Sequence, residues 1–371
     1  MIEPARLARE SVRELPRYKT GVSPQLLKAL QSRTGCARLG SNENPYGASP
    51  RVYDAIRAVD NVHLYPDGGN TAVREALAAQ VGVAADRILV STGSENVLSA
   101  VFHCVLEPGD RVVTLTPTFM FAEILTKALA ADHVAVSYGD DLEYSADAVA
   151  AAIDASSNAK IVYLSNPNNP TGNAFTADEL TRIVSTTAAS TLIVIDEAYF
   201  EYASKHDGFD ASLPILDASG RPYVVLRTFS KAYGLAGLRV GYGICYHPDM
   251  APLVRRASTI FDVGSISQAA ALAALADRAH MESVVDKTLT EKERVLEALG
   301  ERKVRVFPAF GNFVSLWFRE RDRAMSLESH LAEHAVFVKA LPGREGEGLV
   351  RVSVGTADDN DRFLDALARS T

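Results

Sequence analysis

Cysteine is scarce in this chain: three residues in 371, Cys36, Cys104 and Cys245, odd in number and far apart. That argues against a disulfide framework and a cysteine-based zinc cluster. It leads us to expect a reducing, cytoplasmic setting. Long apolar runs are missing too, which excludes a membrane-spanning helix of ordinary length. The opening stretch "MIEPARLARESVRELPRYKTG" alternates charge with single apolar residues and shows no signal-peptide apolar segment. Positive charge is not in excess: 38 Lys and Arg stand against 46 Asp and Glu, net −8. A nucleic-acid binder would normally present a basic surface. No Walker A motif, GxGxxG fingerprint, internal repeat or low-complexity segment occurs, so nucleotide binding and solenoid folds have no support.

What is present is an ordinary globular composition, 47% apolar and 23% charged, in a chain long enough for one large core plus a second domain. From about residue 50 to 245, short β-branched runs alternate with helical patterns. The predicted strands are "RILVS" (87–91), "RVVTLT" (111–116), "HVAVSY" (133–138), "KIVYLS" (160–165), "TLIVID" (191–196), "YVVLRT" (223–228) and "RVGYGI" (239–244). Predicted helices between them include 94–106, 118–130 and 176–188, the last opened by a capping box of Thr176 and Glu179. This rhythm predicts an α/β fold with a mostly parallel sheet covered on both faces. After about 265, two long helical stretches lead into "FVSLWF" (313–318), "AVFVKA" (335–340), "LVRVSV" (349–354) and a terminal helix. That pattern predicts a smaller α+β domain: 45–264 form the large domain, and 1–44 join 265–371 in the small one.

In open α/β sheets, ligands sit beyond the carboxyl ends of the strands. Four strand ends therefore belong together. After "RILVS" comes "TGSEN", where Gly93 permits a tight turn and the amides of Ser94 and Glu95 open a helix that could hold a phosphate; taken alone, the stretch reads first as an ordinary strand–helix turn capped by Ser94. After "KIVYLS" comes "NPNNPTG" (166–172), a rigid turn that could present the Asn169 amide. After "TLIVI", Asp196 ends a very apolar strand and Tyr199 follows. A carboxylate there needs a cation, either an arginine or a protonated ring nitrogen. After "YVVLRT" comes "FSK": Lys231 lies beside Ser230, with Arg239 eight residues on, in "RTFSKAYGLAGLRVGYG". One helix-free excursion and one strand are expected between Asp196 and Lys231, so the two should emerge near each other. A phosphate, a ring nitrogen, a phenolic oxygen and an aldehyde would satisfy these groups together, and pyridoxal phosphate carries all four.

The sequence resembles the fold-type-I pyridoxal-phosphate aminotransferases of classes I and II, most closely the histidinol-phosphate aminotransferase group and its aromatic-aminotransferase relatives. The resemblance runs through "LGSNENPYGASP" (39–50), "YPDGG" (65–69), "TGSEN", "PTF" (117–119), "SNPNNPTG", "IDEAYFEY", the Lys231 stretch, "GNFV" (311–314) and "VRVSVGT" (350–356). It implies that Lys231 joins the cofactor's aldehyde, that Asp196 pairs with its ring nitrogen, and that Tyr199 and Asn169 hold its phenolic oxygen. It further implies phosphate binding by Gly93, Ser94, Glu95, Thr228, Ser230 and Arg239, and stacking of Phe119 on the ring. Tyr65 resembles the tyrosine that reaches the neighbouring subunit's cofactor, which implies a homodimer. On the substrate side stand Arg351 for an anionic group, Tyr18 of the N-terminal arm, and Asn44.

The donor is left open between histidinol phosphate and an aromatic amino acid, with 2-oxoglutarate as the expected acceptor. Histidinol phosphate calls for two adjacent cations, and where the group commonly has a second arginine this chain has Lys339, a point charge without the bidentate fork. An aromatic amino acid would need only Arg351. A decarboxylase of the threonine-phosphate type shares the scaffold. A non-catalytic regulator domain does too, but the intact Lys231 and the lack of a DNA-binding segment speak against it.

Overall fold

β-Branched runs with both faces apolar can only be stable when covered on both sides, and seven of them form one sheet. The structure, a computed structural model, describes residues 6–13, 15, 35–156 and 159–370. The sheet contains β2 (Ile88–Ser91), β3 (Arg111–Thr116), β4 (Asp132–Ser137), β5 (Ala159–Ser165), β6 (Leu192–Asp196), β7 (Tyr223–Thr228) and β8 (Gly241–Cys245), counting Ala37–Arg38 as β1. Their order is β2-β8-β7-β6-β5-β3-β4. All neighbours are parallel except β8, which runs antiparallel to both β2 and β7. The carboxyl ends of the other six strands therefore share one edge. β6 and β7 are adjacent, so Asp196 and the segment leading to Lys231 leave the sheet side by side.

Apolar clusters lie on the two faces of this sheet, one including Val162, Leu164, Ile193 and Ile195, the other Tyr163, Val194 and Leu226. Alternate residues of β5 and β6 thus feed opposite layers. Trimming a buried Ile or Leu here to Ala costs about 2–5 kcal/mol. A third cluster joins Ala37 and Leu39 to Val295, Leu299, Val314, Val350 and Phe363. It underlies an antiparallel sheet of β11 (Lys339–Pro342), β12 (Gly348–Ser353) and β9 (Phe313–Phe318), with β1 pairing in parallel with β10 (Val336–Phe337). The alanines Ala270, Ala271 and Ala274 of helix Ser265–Ala276 belong to the first, larger core. Among the described residues no helix is long and apolar enough to cross a membrane.

Local structure departs from expectation at four places. The strand expected at 239–244 starts at Gly241, because Arg239 ends a short 3-10 turn in the left-handed region, φ 53°. The run 335–340 is broken into β10 and β11, which pair in different sheets. The excursion between β6 and β7 is not helix-free; it holds Phe200–Ala203 and Ser212–Ser219. The cap of helix Ser94–Val105 is Gly93, not Ser94. By contrast, Thr176 and Glu179 form the reciprocal capping box of helix Ala177–Thr186.

Candidate active site

The turn after β2 shows how the sequence builds an anion site. Gly93 takes φ 82°, and a Cβ there would stand 2.8 Å from the Arg239 guanidinium. The positive φ favours glycine, and a side chain there would also push the flexible Arg239 guanidinium aside. The helix that follows has no side-chain cap, so the first-turn amides of Ser94 and Glu95 are left to an outside acceptor. Gly241 on β8 lies so close to this turn that a Cβ would collide with the Ser94 amide. Arg239 approaches from the other side: it pairs with Glu95 at 3.0 Å and donates to Ser230 Oγ at 3.4 Å. Thr228 Oγ1 donates to Ser230 Oγ at 3.0 Å and accepts the Ser230 amide at 3.1 Å. Hydroxyls, amides and a guanidinium thus converge on one spot.

Lys231 follows directly. Its amine donates to the Ser41 carbonyl at 3.1 Å and lies 5.8 Å from the centre of the Tyr199 ring. Burial, with the Arg351 charge adding to it, pushes the amine down to about 8. A nucleophilic amine needs such a shift, because only the neutral form attacks.

Asp196 ends β6, buried at 5% exposure. It accepts from the Tyr163 hydroxyl at 3.0 Å and from the Ala198 amide at 3.1 Å. Burial, opposed by the Tyr163 hydrogen bond, raises it to about 6. The arginine that sequence reasoning allowed as its partner belongs instead to Glu197, which Arg227 grips at 2.7 Å. Among the described residues Asp196 has no side-chain salt bridge, and a protonated ring nitrogen would supply the missing positive charge.

Tyr199 is buried, edge-on to Phe313 at 5.1 Å, and its hydroxyl accepts from Asn42 at 2.9 Å. Asn169 accepts from Arg351 at 2.7 Å, and Arg351 also donates to the Gly40 carbonyl at 2.6 Å. A cavity of about 230 Å³ is lined by Ser94, Glu95, Phe119, Asn169, Asp196, Tyr199, Thr228, Ser230, Lys231 and Arg239, all named from sequence. Phosphate donors, a buried carboxylate with no salt bridge among the described residues and an amine of lowered pKa around one cavity fit pyridoxal phosphate.

The remaining expectations divide. Lys339 is the direct cross-strand partner of Arg351, so the two cations share one face of the small sheet. Asn44 turns its amide inward, donating to the Ala232 carbonyl and accepting from the Tyr46 amide. It lines a neighbouring cavity of about 400 Å³ that shares Glu43, Ser230 and Ala236 with the first. Tyr65 stands outside the cavity, 83% exposed and stacked on Phe261 at 4.7 Å. Tyr18 lies outside the described residues. Sequence reasoning missed Asn42 and Tyr163. Asn42 stood within the quoted "SNEN" and could have been found there. Tyr163 is one of several apolar-strand residues, and only the pairing of β5 with β6 brings it to Asp196.

Residues 34–367 match the family of class I and II aminotransferases. The chain is 39% identical over 353 residues, 95% of each chain, to histidinol-phosphate aminotransferase 1 of Mesorhizobium japonicum. It is 33% identical, with 98% of each chain covered, to an aromatic amino acid aminotransferase of Cutibacterium acnes. The crystal structure of histidinol-phosphate aminotransferase from Sinorhizobium meliloti in complex with pyridoxal 5'-phosphate superposes with a TM-score of 0.86 at 28% identity, covering 97% and 96% of the two chains. With the cavity assembled at the carboxyl ends of a fold-type-I sheet, these matches identify the chain as a member of the class I and II aminotransferases, the pyridoxal-phosphate-dependent family.

Proposed function

We propose that this aminotransferase takes L-histidinol phosphate as donor and 2-oxoglutarate as acceptor. The observation that carries the choice of donor is the pairing of Lys339 with Arg351 across β11 and β12. Two cations side by side suit a phosphate ester better than a single carboxylate. Support also comes from the relative named for this activity at 39% identity.

The cofactor, when bound, supplies an electron sink for the substrate carbon. The chain's own residues do the rest. Ser94 and Glu95 amides, with Gly93 leaving room, and Thr228, Ser230 and Arg239 hold its phosphate. Asp196 holds the proton at the ring nitrogen, and the Tyr163 hydroxyl fixes that carboxylate. Tyr199 and Asn169 donate towards the phenolic oxygen, and Phe119 covers the ring face. Lys231, as a free amine, would take up and return the proton of the substrate carbon. Arg351 and Lys339 hold the substrate's anionic end, and Asn44 lines the adjoining cavity. The division into 45–264 and 1–44 with 265–371 belongs to this reading. The separate core under the small sheet supports it, whereas helix Ser265–Ala276, assigned to the small part, packs in the larger core. Assembly as a homodimer is supported by the exposed apolar group of Leu64, Tyr65, Ile260 and Phe261.

The test is a comparison of kcat/KM for histidinol phosphate and for phenylalanine, each with 2-oxoglutarate and glutamate formation as readout. A preference for histidinol phosphate is expected. A preference for phenylalanine would assign the chain to the aromatic reading, and carbon dioxide release without glutamate would assign it to decarboxylation.

A further inference from the structure

Helix Arg278–Glu301 buries one stripe, Val285, Thr288, Lys292, Val295 and Leu299, and the stripe contains a lysine. Lys292 is 1% exposed. Its amine lies 2.7 Å from His206 Nε2 and donates to the carbonyls of Ala309 and Gly311 at 2.5 and 3.0 Å. An ammonium has three N–H donors, and three partners surround this one. No step of the proposed reaction uses it.

The two carbonyls belong to a turn that packs on Tyr199 in two ways. A Cβ on Gly311 would stand 3.4 Å from the Tyr199 ring, so the bare backbone lies against it. The next residue, Asn312, donates to the Asn42 carbonyl at 3.2 Å, and Asn42 in turn donates to the Tyr199 hydroxyl at 2.9 Å. Phe313 completes the seat, edge-on to the same ring. The turn is held at its middle by the Phe310 amide, which donates to the Gly172 carbonyl at 3.0 Å.

We infer that Lys292 is a positioning residue for the reaction: by gripping Ala309 and Gly311 it fixes the turn that seats the Tyr199 ring and, through Asn312 and Asn42, orients the Tyr199 hydroxyl. A methionine of similar length would fill the space but leave both carbonyls buried without this donor. Burial pushes the Lys292 amine down to about 7, with Glu293 opposing it; its N–H groups serve the two carbonyls in either protonation state. Burial also lowers His206, with Lys292 second.

The inference rests on the reading of Tyr199 as a cofactor-side residue, and the experiment separates the two. Lys292→Met, Tyr199→Phe and the double variant are prepared with and without cofactor. In the loaded proteins, the pH midpoint of the cofactor's visible absorbance is measured. Loss of the hydrogen bond to the phenolic oxygen should move it by about one unit in Tyr199→Phe. Lys292→Met should move it in the same direction, and the double variant should move it no further. In the cofactor-free proteins, the losses in melting temperature should be non-additive for the pair. A midpoint that moves in Tyr199→Phe and stays in Lys292→Met, or additive melting losses, overturns the role of Lys292. An unmoved midpoint in Tyr199→Phe overturns the Tyr199 reading instead. If Lys292→Met does not fold, Lys292→Gln, which keeps one donor group, takes its place in both measurements with the same outcomes.

Discussion

On the Lys231 amine, burial and the charge of Arg351 act in the same direction, and both favour the neutral form. Its proton is therefore lost at lower pH than from an ordinary lysine. In cofactor-free protein, capture of pyridoxal phosphate should speed up with pH and level off above a midpoint near 8. An ordinary lysine would keep gaining up to about pH 10.4, and a stopped-flow pH series distinguishes the two. Lys231→Ala should remove turnover and the visible absorbance of lysine-bound cofactor; normal turnover would remove Lys231 from the chemistry. At Asp196 the carboxylate and the position of its proton can be separated. Asp196→Asn should retain cofactor through the phosphate contacts while kcat falls by a factor of about 10² to 10³, the size of one lost electrostatic partner. Near-normal kcat would mean that another group keeps the ring protonated. Sequence reading reached both residues because Asp196 ends an apolar strand and Lys231 closely follows one, where a charge has to be explained. It did not reach Lys292, since a lysine in "DKTLTEKERVL" is one of several charges on a helix. Only its rotation into the buried stripe sets it apart.

The elements carry the substrate question. Lys339 and Arg351 come from strands that were legible as apolar runs, but their opposition depends on the register of the β11–β12 hairpin. A slip of one residue would turn one cation to the other face. If both hold the donor's phosphate, Lys339→Ala should weaken kcat/KM for histidinol phosphate by about 1–3 kcal/mol, the range for a charged hydrogen bond, and spare phenylalanine. Equal losses for both donors, or none for either, would remove Lys339 from the site. Helix Ser94–Val105 shows the opposite balance: the "TGSEN" turn was legible as an anion site, and the structure adds why residue 93 favours glycine.

For the molecule as a whole, Tyr65 decides between one chain and two. It does not line its own chain's cavity and stands stacked on Phe261 among exposed apolar residues. If it reaches a neighbour's cofactor, then Lys231→Ala and Tyr65→Ala, each inactive, should complement when mixed after unfolding and refolding. Random pairing makes half the dimers mixed, each with one intact site, so about a quarter of the activity should return. A fully active monomer in sedimentation would contradict the shared site.

Alternation of β-branched runs with helices, and charged or amide residues at their carboxyl ends, were properties of the sequence alone. Such short-range patterns survive whatever the chain packs against; they specified the α/β class and, together with the family resemblance, most of the cavity lining, but not Ser41, Glu43, Ser165, Ala198 or Ala236. Tertiary structure decided what depends on contacts between distant segments. It gave Arg227 to Glu197 and Tyr163 to Asp196, set Lys339 opposite Arg351, and turned Asn44 inward to Ala232. Sheet order, register and helix rotation are set by the sum of many weak contacts over the whole core, and no local stretch of sequence contains that sum.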